Sequence, residues 1–339
     1  MITVVVPPGI GDIYWLLMKV VPNTDQKIKL KVCHADNKRA HFLKYLDAVE
    51  EVVEDPKTSF LRLRKLCWGK NYKSVQAVMY MEANTWLEAG KRIEDYYPHF
   101  KTEHKLKWNI TDEGRKIAQS YLKPGMNNVA LFTSCYAHNK QENVVGDWKP
   151  EHWVTIVEHM YRTIPDLNII WLGAPWDTDM IKLLEHFPSI QFMTNQPADA
   201  VITVLRETQC FVAYQSGLSV ISICEEIPTY MAYFDRLDPM HYAYAPKETM
   251  HDKLIHKPMA FRHLKHQLEY PALWAAGVIS SRRSKYESTL KASARRTDSR
   301  PSDTKSKVGQ VERRQGDSTN PRTVLTKNEK GYFRNITVP

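Results

Sequence analysis

The chain has 339 residues, of which 43% are hydrophobic and 25% charged, with nine tryptophans. That length leaves room for roughly two domains, and that apolar share for sizeable cores, which excludes a small disulfide- or metal-stapled fold and a chain disordered throughout. Lys and Arg number 47 against 38 Asp and Glu, a formal charge of +9, and the excess sits at one end: residues 280–339 hold 15 basic and 6 acidic residues, so residues 1–279 are close to neutral.

From the start, Ile2–Val6 is a β-branched run and reads as a first strand; with no basic n-region before it, no leader is expected. Pro7-Pro8-Gly9-Ile10-Gly11-Asp12 follows as a turn, and Ile13, Leu16, Leu17 and Val20 recur at helical spacing. Ile28–Val32 reads as a second strand, 37–47 as a polar helix-like segment and Val49–Val53 as a third strand, before a less regular region to about Lys123. Lys123-Pro124-Gly125-Met126-Asn127-Asn128 is dense in turn formers and marks the expected domain junction.

The alternation is clearer beyond it. Strands are predicted at 129–133, 167–172, 190–192, 210–214 and 228–233, and helices at 150–162, 177–186, 197–207 and 217–225. Strands and helices in strict alternation imply parallel sheets covered on both faces. The predicted architecture is α/β: two Rossmann-like, doubly wound domains facing a cleft, over 1–123 and 124–253, with a closing helical segment at 254–279 and a basic, disordered tail at 280–339. The longest apolar stretch, 201–224, is broken by Arg206, Glu207, Gln209 and Gln215, too polar to span a membrane. Five widely spaced cysteines (Cys33, Cys67, Cys135, Cys210, Cys224) without a C-x-x-C suit reduced core thiols in a cytoplasmic protein.

In parallel sheets, ligands gather where strands end and helices begin, because unpaired N–H groups and positive helix termini face that crevice. Two loops have this form. In the first, Gly9 and Gly11 permit close approach, while Asp12 either caps the helix start or faces the cleft; Tyr14 stands where a dinucleotide fingerprint needs its third glycine, which disfavours a nicotinamide enzyme. The second, Tyr214-Gln215-Ser216-Gly217-Leu218-Ser219, offers hydroxyls and amides suited to a diphosphate, or is an ordinary capped turn. Thr133-Ser134 marks another strand end. Asp177-Thr178-Asp179 spells a D-x-D, read first as helix capping and second as a metal motif; the thirteen histidines show no paired metal spacing. Tyr230, Tyr233, Phe234, Tyr242 and Tyr244 suit base stacking or core packing equally.

Gly11-Asp12 after the first strand, Trp148-Lys149-Pro150-Glu151-His152-Trp153, Trp171-Leu172-Gly173 and Ser216-Gly217-Leu218, in that order and spacing, resemble the heptosyltransferase-like (ADP-heptose:LPS heptosyltransferase type) glycosyltransferases of GT-B architecture. The resemblance covers roughly residues 1–240. It implies transfer of a sugar from a nucleotide diphospho-sugar to an acceptor hydroxyl, with inversion and without a metal or other cofactor. By position, Asp12 matches the general base; Ser216, Gly217, Leu218, Thr133 and Ser134 match the donor diphosphate site; Gly9 and Gly11 belong to the acceptor-side loop. Gln215, Gly173 and Asp235 fall where the donor's nucleoside or sugar would lie. Three positions depart from the pattern: Gln215 for an aspartate, Val220 for a histidine and Gly146 for a lysine whose place Lys149 or Lys140 would take.

The function expected from sequence is thus a glycosyltransferase. Its alternatives are a transferase acting on hydroxymethylated bases of DNA, with the basic tail tethering the polymer, and an inactive transferase fold that binds nucleotide without turnover. Expected partners are a nucleotide-sugar, a saccharide or DNA acceptor, and a polyanion for residues 280–339.

Overall fold

The computed structural model describes residues 1–6, 9–33, 39–56, 103, 105–133, 148–174, 177–233, 256–298, 323–327 and 333–337. In chain order the elements are β1 (Ile2–Val6), α1 (Ile10–Val20), β2 (Ile28–Cys33), a 3-10 helix (Arg39–Tyr45), β3 (Val49–Asp55), α2 (Asp112–Tyr121), β4 (Asn127–Phe132) and α3 (Pro150–Thr163). They continue with β5 (Leu167–Gly173), α4 (Thr178–Leu184), β6 (Ile190–Thr194), α5 (Ala198–Glu207), β7 (Cys210–Tyr214), α6 (Gly217–Cys224) and β8 (Thr229–Tyr233). Last come β9 (His256–Ala260), α7 (Phe261–Leu264), α8 (Tyr270–Asp298), β10 (Thr323–Lys327) and β11 (Phe333–Thr337). The strands β10 and β11 form an antiparallel pair within a second compact unit that begins at Leu290.

Two parallel sheets organise the first 289 residues. One has the order β1-β2-β3, the other β6-β5-β4-β7-β8-β9. The second is the doubly wound order in which the chain reverses direction between β4 and β7.

Strand alternation divides the core. Val129, Leu131, Ile169, Trp171, Val212 and Tyr214 face one side of the six-stranded sheet and pack with Trp153, Ile156 and Met160 of α3 and with Ala272, Ala275 and Val278 of α8. Their neighbours Ala130, Ile170, Leu172, Phe211 and Ala213 face the other side, against α5 and α6. The core on that second side runs on without a break into Ile13, Leu16 and Leu17 of α1 and Val4, Leu30 and Val32 of the smaller sheet. Where α1 meets α6, the two sheets share one apolar core.

Several features add to the expected elements or depart from them. The region before Lys123 contains α2, whose start is signalled by Thr111: its hydroxyl accepts the Gly114 amide, 2.9 Å, as an N-cap. That helix precedes the expected junction yet is tied to α5, because buried Asp199 accepts hydrogen bonds from the Thr111 amide and hydroxyl. The turn at the expected junction is held by hydrogen bonds. Asn128 Oδ1 accepts from Lys123 N at 2.9 Å and from Asn168 Nδ2 at 2.7 Å, while Gln191 Nε2 donates to Asn168 Oδ1 at 2.8 Å.

The segment expected to be helical over 254–279 begins instead with β9, which extends the sheet beside β8; Pro258, which lacks an amide donor, is accommodated because β9 is an edge strand. Helix α8 then runs past 279 to Asp298, so backbone expected to lie in the disordered tail is helical over that stretch. The rest of the expected tail, 299–322, 328–332 and 338–339, lies outside the described residues apart from the β10–β11 pair.

Candidate functional site

The strand order reverses between β4 and β7, so the C-terminal ends of these paired strands, Thr133 and the 215–217 turn, lie side by side at one edge of the larger sheet, the place where ligands gather in such sheets. Helix α6 begins at this point. Ser216 is its N-cap, in extended conformation, and a reciprocal box joins it to Ser219: the Ser219 amide donates to Ser216 Oγ at 3.4 Å and the Ser216 amide to Ser219 Oγ at 2.9 Å. The turn is thus a capped one, with the Ser216 amide engaged inside the protein. The first-turn amides of Gly217 and Leu218 have no intrahelical acceptor, as in any helix, and mark the positive end of α6.

Helix α1 starts against that end. A Cβ on Gly11 would stand 3.2 Å from Gly217 Cα and from Val220 Cγ2, and one on Gly217 would stand 2.8 Å from Ile10 Cβ and 2.9 Å from the Gly11 amide. Both glycines are explained by this backbone-to-backbone approach of two helices. Val220, at the position where the family resemblance implies a histidine, is buried in the same contact.

Asp12 lies in the first turn of α1, after the N-cap Gly9 rather than in the capping position itself. Its carboxylate folds over Gly9, where a Cβ would come within 2.5 Å of Oδ2. Asp12 keeps solvent contact, yet protein surrounds it closely enough that desolvation raises its carboxyl from 3.8 to about 6. The group is ionised at neutral pH and more basic than an ordinary aspartate.

The other predicted residues take varied places. Thr133 is at the end of β4, buried, with Oγ1 accepting the Trp171 indole N–H at 3.0 Å. Gly173 ends β5, and the Trp171 ring occupies the space a Cβ there would need. Exposed Lys149 is the residue before α3, its amide donating to His152 Nδ1 at 3.0 Å. That bond leaves the proton of neutral His152 on Nε2, and burial lowers the histidine's pKa. Gln215 ends β7; its amide donates to Ala232 O at 2.8 Å, and its buried side-chain Oε1 has no hydrogen-bond partner within the protein. Ser134, Lys140, Gly146 and Asp235 lie outside the described residues.

In the D-x-D, Asp177 stands at the N-cap position of α4, but its Oδ2 turns back to accept the Ala174 amide at 2.8 Å, while Asp179 is exposed near Lys182. Among the described residues, no three His, Cys, Asp or Glu side chains gather as a metal site. Tyr230 belongs to the core, edge-on to Trp274 with centroids 5.6 Å apart and its hydroxyl 3.0 Å from Met259 Sδ; Phe234, Tyr242 and Tyr244 lie outside the described residues. Cys33, Cys210 and Cys224 are buried and form no disulfide, and burial pushes the Cys33 thiol up to about 11 and that of Cys210 to about 12. Sequence reasoning passed over Ser219, although Ser216-x-x-Ser219 at a helix start was a legible signal for the box. Among the described residues, no helix is long and apolar enough to cross a membrane.

The sequence matches no family profile and no curated protein. Among solved structures the fold is similar to E. coli ADP-heptose LPS heptosyltransferase II, with a TM-score of 0.50 and 12% identity over 83% of this chain and 100% of that one. It is also similar to the glycosyl transferase family 9 from Veillonella parvula (TM-score 0.49, 12% identity, 78% of this chain and 88% of that one). A third is the UDP-GlcNAc 2-epimerase from Methanocaldococcus jannaschii (TM-score 0.43, 10% identity, 80% and 91%). At such identities the likeness is one of fold, and at that level it agrees with the resemblance carried by the sequence motifs.

Proposed function

We propose that the protein is a glycosyltransferase that moves a sugar from a nucleoside diphospho-sugar to an acceptor hydroxyl, with inversion and without a metal, Asp12 serving as the base. The observation that supports this reading is the backbone approach of Gly11 of α1 to Gly217 of α6, one residue from Asp12, whose carboxyl has a raised pKa. The heptosyltransferase II fold supports it.

The chemistry needs both parts. Asp12 takes the proton of the acceptor hydroxyl as its oxygen bonds to the anomeric carbon from one face. The bond from that carbon to the diphosphate breaks on the opposite face, and its electron pair leaves with the phosphate. The amino end of α6, the Ser216 and Thr133 hydroxyls and the exposed Lys149 ammonium would receive that negative charge. A base of pKa about 6 is matched to this task, since it is ionised at pH 7 yet a stronger proton acceptor than a solvated aspartate.

Hydrolysis of a panel of nucleotide-sugars tests the reading without knowledge of the acceptor. Release of one nucleoside diphosphate, unaffected by EDTA and reduced at least 100-fold in Asp12→Asn, is the expected result. Loss of the reaction in EDTA would overturn the metal-free mechanism, and full activity in Asp12→Asn would remove the base. Val220 in the place of the family's histidine favours one further reading, nucleotide binding without turnover; a nucleotide-sugar that raises the melting temperature but is never cleaved, with any acceptor, identifies it.

A further inference from the structure

Helix α3 begins with a histidine at a point where the backbone needs an acceptor. Lys149, the residue before the helix, has extended backbone at φ −116° and ψ 152°, and two hydrogen bonds close a ring between it and His152. The His152 amide donates to Lys149 O at 3.0 Å, and the Lys149 amide donates to His152 Nδ1 at 3.0 Å. The second bond is the return half of a capping box, a task that usually falls to Glu or Gln. An imidazole performs it only while neutral, because both ring nitrogens donate once it is protonated.

The ring is also held from the side. Trp148 lies against it with centroids 4.8 Å apart and meets buried Trp153 edge-on at 5.4 Å. Residues 148 and 149 are thereby fastened to the core of the larger sheet through the first turn of α3. Topology says where that turn stands. Helix α3 connects the parallel strands β4 and β5 and so runs back against them, which puts its amino end at the edge where β4 ends, the edge of Thr133 and the 215–217 turn. Lys149 is exposed there.

We propose that His152 is a positioning residue for Lys149: by accepting the Lys149 amide it fixes the backbone from which the ammonium meets the departing diphosphate. The inference rests on the sugar-transfer reading and adds a control to it, since the cap exists only with neutral His152. The surroundings favour that form. Burial lowers the histidine's pKa; Glu151 opposes this, while the cations of Lys149 and of Lys265, beyond α7, act in the same direction as burial. The cap is therefore complete at neutral pH and is lost as pH falls through that lowered value.

Binding of inorganic pyrophosphate to the full-length protein, followed by calorimetry, tests the proposal without a sugar donor. Lys149→Met should bind about tenfold more weakly than the parent, through loss of a charged hydrogen-bond donor. His152→Leu should weaken binding too, and the double variant should bind no more weakly than Lys149→Met, because the histidine acts only through the lysine. His152→Gln restores an uncharged acceptor and should keep most of the affinity at pH 7.5. Between pH 7.5 and 5 the parent should lose affinity relative to His152→Gln. In that comparison the protonation of pyrophosphate and of Asp12 cancels, and it stands even where His152→Leu fails to fold. Full affinity in His152→Leu, additive losses in the double variant, or equal pH dependence of parent and His152→Gln overturns the positioning role. Lys149→Met binding as tightly as the parent, or no pyrophosphate binding by the parent, overturns instead the diphosphate site on which that role rests.

Discussion

At the scale of single residues, the two glycines and the aspartate at the α1–α6 contact separate two roles that a glycine-rich turn leaves mixed. Gly11 and Gly217 are glycines because helix backbones meet there, whereas Asp12 keeps solvent contact while the protein around it raises its carboxyl pKa by desolvation. The sign of the desolvation cost is checkable. The folded pKa of about 6 exceeds the unfolded value of 3.8, so between these pH values the native state holds a proton that the unfolded chain has lost. Asp12 therefore draws stability down as pH rises from about 4 through 6. Asp12→Asn should raise the melting temperature at pH 7.5 relative to the parent, and the difference should vanish at pH 4. The same substitution abolishes the proposed transfer, and in the parent kcat/KM should rise through pH 6 as the base ionises. A parent and variant with identical melting temperatures at both pH values would contradict the desolvated carboxylate.

At the scale of elements, the contact between α1 and α6 sets the positions of everything in the candidate site. Only small residues allow it. Gly217→Ala would place a methyl 2.8 Å from Ile10 Cβ and 2.9 Å from the Gly11 amide, and backbone cannot swing aside as a side-chain tip can. Overpacking of this kind costs about 1–3 kcal/mol, so a urea titration should show a lower midpoint. Because the helices must separate to accept the methyl, the same variant should lose nucleotide-sugar hydrolysis beyond its loss of stability. Gly11→Ala, whose methyl would meet its neighbours at 3.2 Å, should be milder on both counts. An unchanged midpoint for Gly217→Ala would mean that the helices stand further apart.

At the scale of the whole molecule, the joining of the two sheets rests on one buried carboxylate as well as on apolar packing. Glu225, at the end of α6, accepts the Trp108 indole N–H at 3.0 Å and a two-pronged grip from Arg206 at 3.0 and 2.8 Å. Trp108 in turn stacks on Tyr14 of α1 at 6.1 Å and meets Phe42 edge-on. Glu225→Ala removes the acceptor from all three hydrogen bonds; the exposed Arg206 guanidinium regains water, so the cost falls on the buried Trp108 indole N–H left without its acceptor, about 1–3 kcal/mol. Chemical denaturation should show that loss. A loss below about 0.5 kcal/mol would mean that the junction depends on the apolar core alone.

The alternating apolar pattern determined the strands and helices between residues 127 and 233 to within about two residues, because period-two and period-3.6 burial are local properties that each segment carries within itself. The strand-end loops at Gly9–Asp12 and Gln215–Leu218 were legible for the same reason: a glycine or a capping serine between two periodic segments is a local signal. Strand β9 was not, since His256-Lys257-Pro258-Met259-Ala260 has little strand character and is extended because β8 offers it a parallel edge. The placement of α2 on α5, the capture of the 123–128 turn by Asn128 with Asn168 and the meeting of α1 and α6 at Gly11 and Gly217 were likewise decided only in three dimensions. Each depends on groups about 40 to 200 residues apart in the chain, and no local pattern states which distant backbone a glycine or a buried amide is there to meet.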